Sequence, residues 1–203
     1  MMTAVGEATQ NVAFPVKDLE VLEADVGVVS LGESEEELAR YCHPMYWSLR
    51  DLVALDDVRT WGYAYGIQTV AKEQVTMQRA FKGYVVSRPI GYTPVGYDAA
   101  PFEVYELSFQ VPRGLSGAPL QPVNRPLVVH GVIIGNSQSR MKVFSHQELV
   151  VESGVTNRVE HFEALTLGLA VRPGSILDQT SRVLRGTIRG HLDSLGLLRQ
   201  PPY

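Results

Sequence analysis

The chain has 203 residues, 45% of them hydrophobic and 20% charged, with a formal net charge of −4. This is the composition of a soluble globular protein, long enough for one substantial domain or for two small barrels sharing a site. The acidic balance and the scatter of basic residues, grouped only modestly in "RVLRGTIRG" (182–190), argue against a polyanion-binding protein and so against nucleic acid as the main partner.

In chain order, "NVAFPVKDLEVL" (11–22) partly alternates, and "ADVGVVSL" (24–31) is an apolar run behind an acid. "SEEELARYCHPMYWSLRDLVAL" (34–55) predicts a helix: Ser34 and Glu37 form a capping pattern, and Pro44 interrupts it. Strands are predicted in "VRTWGYAYG" (58–66), "KGYVVSRPIG" (82–91), "FEVYELSFQV" (102–111), "PLVVHGVIIGN" (126–136) and "ALTLGLAVRP" (164–173). These runs are rich in β-branched and aromatic residues and bounded by Gly or Pro. The last segment, 175–198, carries Ile176, Leu177, Val183, Leu184, Ile188, Leu192 and Leu195 at helical spacing. It predicts a terminal amphipathic helix, weakened by Gly186 and Gly190.

The pattern is all-β with a closing helix. "RPIGYTPVGYDAAP" (88–101) is the most loop-like stretch and the expected seam between an N-terminal part, 1–87, and a C-terminal part, 88–203. Cys42 is the only cysteine, so no internal disulfide forms and a reducing cytoplasm is expected. "MMTAVGEATQNVAF" shows no signal peptide, and no apolar run approaches the roughly 20 residues of a membrane helix.

The chemistry concentrates in "PRGLSGAPL" (112–120), where Ser116 stands between Gly114 and Gly117, with Pro119 beyond. One reading is a tight connection in which Ser116 is a polar turn residue. The other is a nucleophile loop, in which the glycines turn the backbone so that the amides of Gly114 and Ser116 receive an oxyanion. The hydrolase elbow G-x-S-x-G does not fit, because Ala118 holds its last position.

The strand "YELSFQV" before the motif and "HGVIIGN" (130–136) after it complete a pattern that resembles the trypsin-like (chymotrypsin-fold) serine peptidases, especially compact bacterial members without disulfides. "EADVGVVSL", "VRTWGYAYG", "KGYVVS" and "GLAVRPGSILDQ" resemble further elements of that family in its order. The resemblance covers most of 19–195. It implies two six-stranded-type antiparallel β-barrels, the first incomplete, with a C-terminal helix; "VRTWGYAYG" would belong to the first barrel and "KGYVVS" would open the second.

The resemblance also implies roles. Ser116 is the nucleophile, Asp25 the orienting acid, and the Gly114 backbone part of the oxyanion hole. Gln110 lies at the base of the specificity pocket, and Ile134, Gly135 and Asn136 form a wall that offers backbone groups to an extended substrate. Gln110 is uncharged, so a neutral or small residue is expected at the cleavage site. Leu115 replaces the aspartate of zymogen-type members, which removes activation by N-terminal trimming.

One partner is missing. A serine hydroxyl needs a base, and the family takes it from a histidine in a T-A-x-H turn ahead of the aspartate. If Thr3 and Ala4 are that turn, Gly6 stands where the histidine belongs; otherwise the base precedes Met1. His43, His130, His146, His161 and His191 all follow Asp25 and read as structural. The expected activity is a serine endopeptidase with the catalytic histidine absent from this chain. It needs no cofactor or metal, takes polypeptide partners, and involves neither nucleic acid nor membrane. The alternatives are a protease-fold module that binds peptides without cleaving them, and an unrelated β-rich interaction domain.

Overall fold

The computed structural model describes residues 15–23, 26–32, 36, 40, 44–65, 67–70, 73–76, 78–87, 89–93, 100–150 and 155–199. Strands dominate. Ahead of the serine loop they are β1 (Val16–Leu22), β2 (Val26–Leu31), β3 (Tyr46–Ser48), β4 (Asp57–Gly62), β5 (Ile67–Val70), β6 (Glu73–Thr76), β7 (Arg79–Tyr84), β8 (Ile90–Tyr92) and β9 (Phe102–Leu107). Beyond it come β10 (Pro119–Pro122), β11 (Val128–Val129), β12 (Gly131–Val150) and β13 (Val155–Val171). The chain continues with α1 (Pro173–Leu177), β14 (Thr180–Ser181), β15 (Gly186–Thr187), α2 (Ile188–Ser194) and β16 (Leu198–Arg199).

The main sheet is antiparallel, in the order β7-β4-β10-β12-β13-β9-β8. It curls until the end of β7 meets β9, where Val85 bridges Leu107. Two hydrogen bonds flank the bridge, Val86 N–H to Glu106 O (2.8 Å) and Ser108 N–H to Tyr84 O (3.0 Å). The expected pair of closed barrels is not found among the described residues: the curl is joined by one bridge rather than a full ladder. The strand at 58–62, expected in a first barrel, is β4, which pairs instead with β10 through Gln121–Arg59. The main sheet therefore spans both sides of the 88–101 stretch.

The central strands are buried on both faces, as their near-continuous apolar runs require. On β9, Tyr105 and Leu107 enter a core inside the curl with Val58, Leu115, Leu120, Ile133 and Ala170. Phe102 and Val104 face a second core with Leu169, Val171, Ile176, Leu177 and Ile188. Each fully buried side chain of this size contributes about 1.5–3 kcal/mol of transfer free energy. The β1–β2 hairpin lies against the second core through Leu22, Val26 and Val28. Its polar edge is tied down as well. Arg182 grips Asp18 at 2.7 and 3.0 Å, and the Ser181 hydroxyl donates to Glu20 at 2.7 Å.

Two predicted helices are corrected. Within 34–55, Glu36 and Arg40 are helical, but residues 46–48 form β3, which runs parallel to β11 and β16. Its partners lie far along the chain, and those ladders override local propensity. The terminal helix divides into α1 and α2, with the short β14–β15 hairpin between them. Arg185 takes a left-handed conformation there (φ 56°), which no helix interior tolerates. Thr187 then opens α2 by accepting a hydrogen bond from Gly190 N–H at 3.0 Å. Ile176, Leu177 and Ile188 still reach one core, so the apolar spacing marks the buried side while misjudging the backbone. Between 137 and 163, where no element is predicted, β12 and β13 continue as one long hairpin.

Candidate functional site

The loop joining β9 to β10 carries the serine motif. Leu115 N–H donates to Pro112 O (3.2 Å) and Ala118 N–H to Leu115 O (3.1 Å), making two successive tight turns. Gly114 (φ 86°) and Gly117 (φ 87°) occupy the third position of each, the left-handed site of a type II turn. This is why the motif carries glycines three residues apart, at 114 and 117. Leu115 is fully buried and anchors the loop, which leaves Ser116 exposed at its tip.

Two further ties hold the loop against β12. Gly117 N–H donates to Ile133 O (2.8 Å), and Ile133 N–H donates to Ala118 O (2.9 Å). Asn136 clamps Val111: its Oδ1 accepts from Val111 N–H (2.7 Å), and its amide donates to Val111 O (2.8 Å). The amides of Leu115, Gly117 and Ala118 are thus engaged. Those of Gly114 and Ser116 donate to no protein acceptor among the described residues.

The Ser116 hydroxyl donates to the carbonyl of Ile134 at 3.2 Å. That carbonyl is free to receive it because the β12–β13 register slips between Ile133 and Gly135, leaving Ile134 as the extra residue of a bulge. Ser116 and Ile134 therefore do meet, with Gly114 and Gly135 close to them in sequence. Gln110 is exposed on the approach to the loop. The Asn136 side chain is occupied in holding Val111, so it braces the loop.

Asp25 and Gly6 lie outside the described residues, as do Cys42 and His43. Val26, next to Asp25 in sequence, lines a cavity of about 370 Å³ together with Gly117, Trp47, Val132 and Leu184. The remaining histidines are accounted for without Ser116. His146 and His161 stack with Phe144 on the long hairpin, with ring centroids 6.0 and 4.1 Å from it, and His191 is exposed on α2.

His130 is buried, and its Nδ1 lies 3.1 Å from Arg50 O. A carbonyl only accepts, so Nδ1 carries the hydrogen and Nε2 a lone pair. Burial pushes the ring's pKa down to about 4, and the charges of Arg125 and Arg50 add to the effect. Nε2 is buried without a hydrogen-bond partner, and His130 is one lining residue of a charged cavity that sequence reasoning missed. No local motif signals it, because its walls come from residues 50–57 and 122–130.

Among the described residues no group of three or more His, Cys, Asp or Glu is arranged to hold a metal. No described helix is long and apolar enough to cross a membrane. Compared with protein-family models, curated proteins and solved structures, the chain matches none.

Proposed function

We propose that this chain is a serine-type peptidase of the trypsin-like kind, with Ser116 as nucleophile and polypeptide as substrate. One observation carries the reading. The two amides it needs for the oxyanion, those of Gly114 and Ser116, donate to no protein acceptor among the described residues, while the neighbouring amides of Leu115, Gly117 and Ala118 are engaged. Attack of Oγ on a peptide carbonyl forms the Oγ–C bond and places the negative charge on the carbonyl oxygen, where those donors stabilise it. The hydroxyl proton passes to a base and from it to the leaving amine. The base in this proposal is a histidine ahead of Asp25, which these 203 residues do not supply, and Asp25 orients it. Losing the base costs on the order of 10⁶ in kcat in enzymes of this logic.

In this reading the curl of β4, β7, β9, β13, β12 and β10, joined by the single Val85–Leu107 bridge, takes the place of the second barrel, and β4, which the resemblance assigned to the first, belongs to it instead. The β1–β2 hairpin is then a remnant of the first, and its exposed Val16, Leu19, Val21 and Val29 are strand faces that a further segment would cover.

A second reading, a peptide-binding module without turnover, is favoured by the hydrogen bond from Ser116 Oγ to Ile134 O, which spends the hydroxyl on a carbonyl rather than a base. A fluorophosphonate probe separates the two. Stoichiometric labelling that disappears in Ser116→Ala supports the peptidase. An unlabelled protein in which extended peptides shift the Ile134–Asn136 amide resonances overturns it in favour of the module.

A further inference from the structure

β12 has a strand beside it along one edge and, along the other, only at its root. β13 pairs with it from Val132 to Val150, whereas β10 pairs only with Gly131 and Val132. The serine loop extends the second contact by one residue, through Gly117 N–H to Ile133 O and Ile133 N–H to Ala118 O. The Ser116 hydroxyl then takes the Ile134 carbonyl. Beyond Ile134 no described strand pairs with this edge.

The ladder fixes which main-chain groups face outward. Residues paired across antiparallel strands turn their N–H and C=O groups either toward each other or both away. Gly168 N–H donates to Phe109 O at 2.9 Å, on the β9 side, so its partner Asn136 also turns away from β13. Ile133, bonded outward to the serine loop, and its partner Ala170 show the same setting nearer the root. From Asn136–Gly168 to Lys142–Phe162 the register runs without a slip, so the main chain of Gln138, Arg140 and Lys142 repeats the outward setting. At about 3.4 Å per residue this edge is about 20 Å long. The slip at Val143 ends it.

The complement of such a row of donors and acceptors is another extended chain. Because the row begins where Ser116 bonds Ile134, a polypeptide held at the serine continues naturally along it. A second copy of this chain fits less well. Edge-to-edge pairing would set two "NSQSRMK" stretches (136–142) side by side, each with two cations and no acid.

We propose that the outer edge of β12 from Asn136 to Lys142 docks an extended polypeptide of about seven residues by strand addition, continuous with the segment held at Ser116. Recognition is by main chain, so it selects for length and extended conformation rather than for one side chain. The inference rests on Ser116 marking a polypeptide site, with or without turnover.

The test uses blocked peptides, acetyl-(Thr-Ala)-amide repeats of two, four and eight residues, with the folded protein, read by amide exchange. The eight-residue peptide is expected to bind at least about tenfold more tightly than the two-residue one. It should slow exchange at Asn136, Gln138, Arg140 and Lys142 and leave Ser137, Ser139 and Met141, which face β13, unchanged. Gln138→Pro removes an outward donor but no bond of the β12–β13 ladder, and should weaken the eight-residue peptide about tenfold. Gln138→Ala keeps that donor and should bind as the parent does. Equal affinity at all lengths, protection without the alternation, or Gln138→Ala matching Gln138→Pro overturns strand addition. Alternating protection that grows with protein concentration in the absence of peptide overturns the polypeptide occupant in favour of a second copy. Fluorophosphonate labelling of Ser116 with no protection of the edge overturns this inference alone, whereas protection without labelling upholds it and removes turnover.

Discussion

The two ends of the long β12–β13 hairpin share one ladder and almost nothing else. At its root, Ile133, Leu169, Ala170 and Val171 are at most 1% exposed, enclosed by β9, β10 and the terminal helices. Farther out, Val143, Phe144, Phe162 and Leu165 are each more than half exposed, and the strands pair with each other. There Lys142 reaches Glu160 at 2.5 Å, Arg158 reaches the same carboxylate at 3.1 Å, and Phe144 stacks on His161. Antiparallel pairing runs from root to tip, with one register slip near each of Ile134 and Val143, so pairing is not what distinguishes the root. Burial is, since an isolated two-stranded ribbon is marginal in water.

The largest way to break this contrast is Leu169→Ala at the root, expected to cost about 2–5 kcal/mol in chemical denaturation. A cost within the noise would mean that the root is no better supported than the arm.

Acidification comes next. His130, just ahead of the root, has its folded pKa pushed to about 4 by burial, below its ordinary 6.5. The unfolded chain therefore takes up the proton first, and stability falls as pH drops from 6.5 to about 4, by about 3 kcal/mol in all. His130→Asn should flatten the profile in that window. The hairpin contacts of Asp18 and Glu20, whose carboxyls are held low by Arg182 and Ser181 respectively, should survive it and fail only below the ordinary carboxylate range.

Asn136→Ala strips both hydrogen bonds from Val111 and is expected to cost about 1–3 kcal/mol. Amide exchange in the Ser116 loop should quicken along with it; an unchanged loop would show that Leu115 alone holds it. The smallest effect belongs to the arm. Phe144→Ala should cost less than about 1 kcal/mol, because it removes a cross-strand contact from an exposed face. A loss comparable with Leu169→Ala would mean that the arm is covered by something in solution.

Local chemistry made several features legible. The turns around Ser116 follow from glycines at positions that demand left-handed backbone, and Leu115 between them reads as an anchor once one side of the loop faces a core. The terminal apolar spacing found the right buried residues, but not the reversal at Arg185, because a helix and a broken helix can bury the same set. Residues 46–48 were illegible as strand: their partners, Val128–Val129 and Leu198–Arg199, lie far along the chain. The outer hairpin escaped notice because both its faces carry charges beside aromatics, and alternation signals a strand only where one face is buried.

The sequence by itself determined a β-rich chain, its two-sided apolar strands and a serine presented between two left-handed glycines, because these follow from φ preferences and side-chain periodicity within a few residues. Only the tertiary structure decided that Ser116 donates to the bulged Ile134 carbonyl, that Asn136 braces Val111, and that His130 is buried against the Arg50 carbonyl with its other nitrogen unpartnered. Those outcomes depend on which distant strands exclude water from one another, and no local run of residues encodes that.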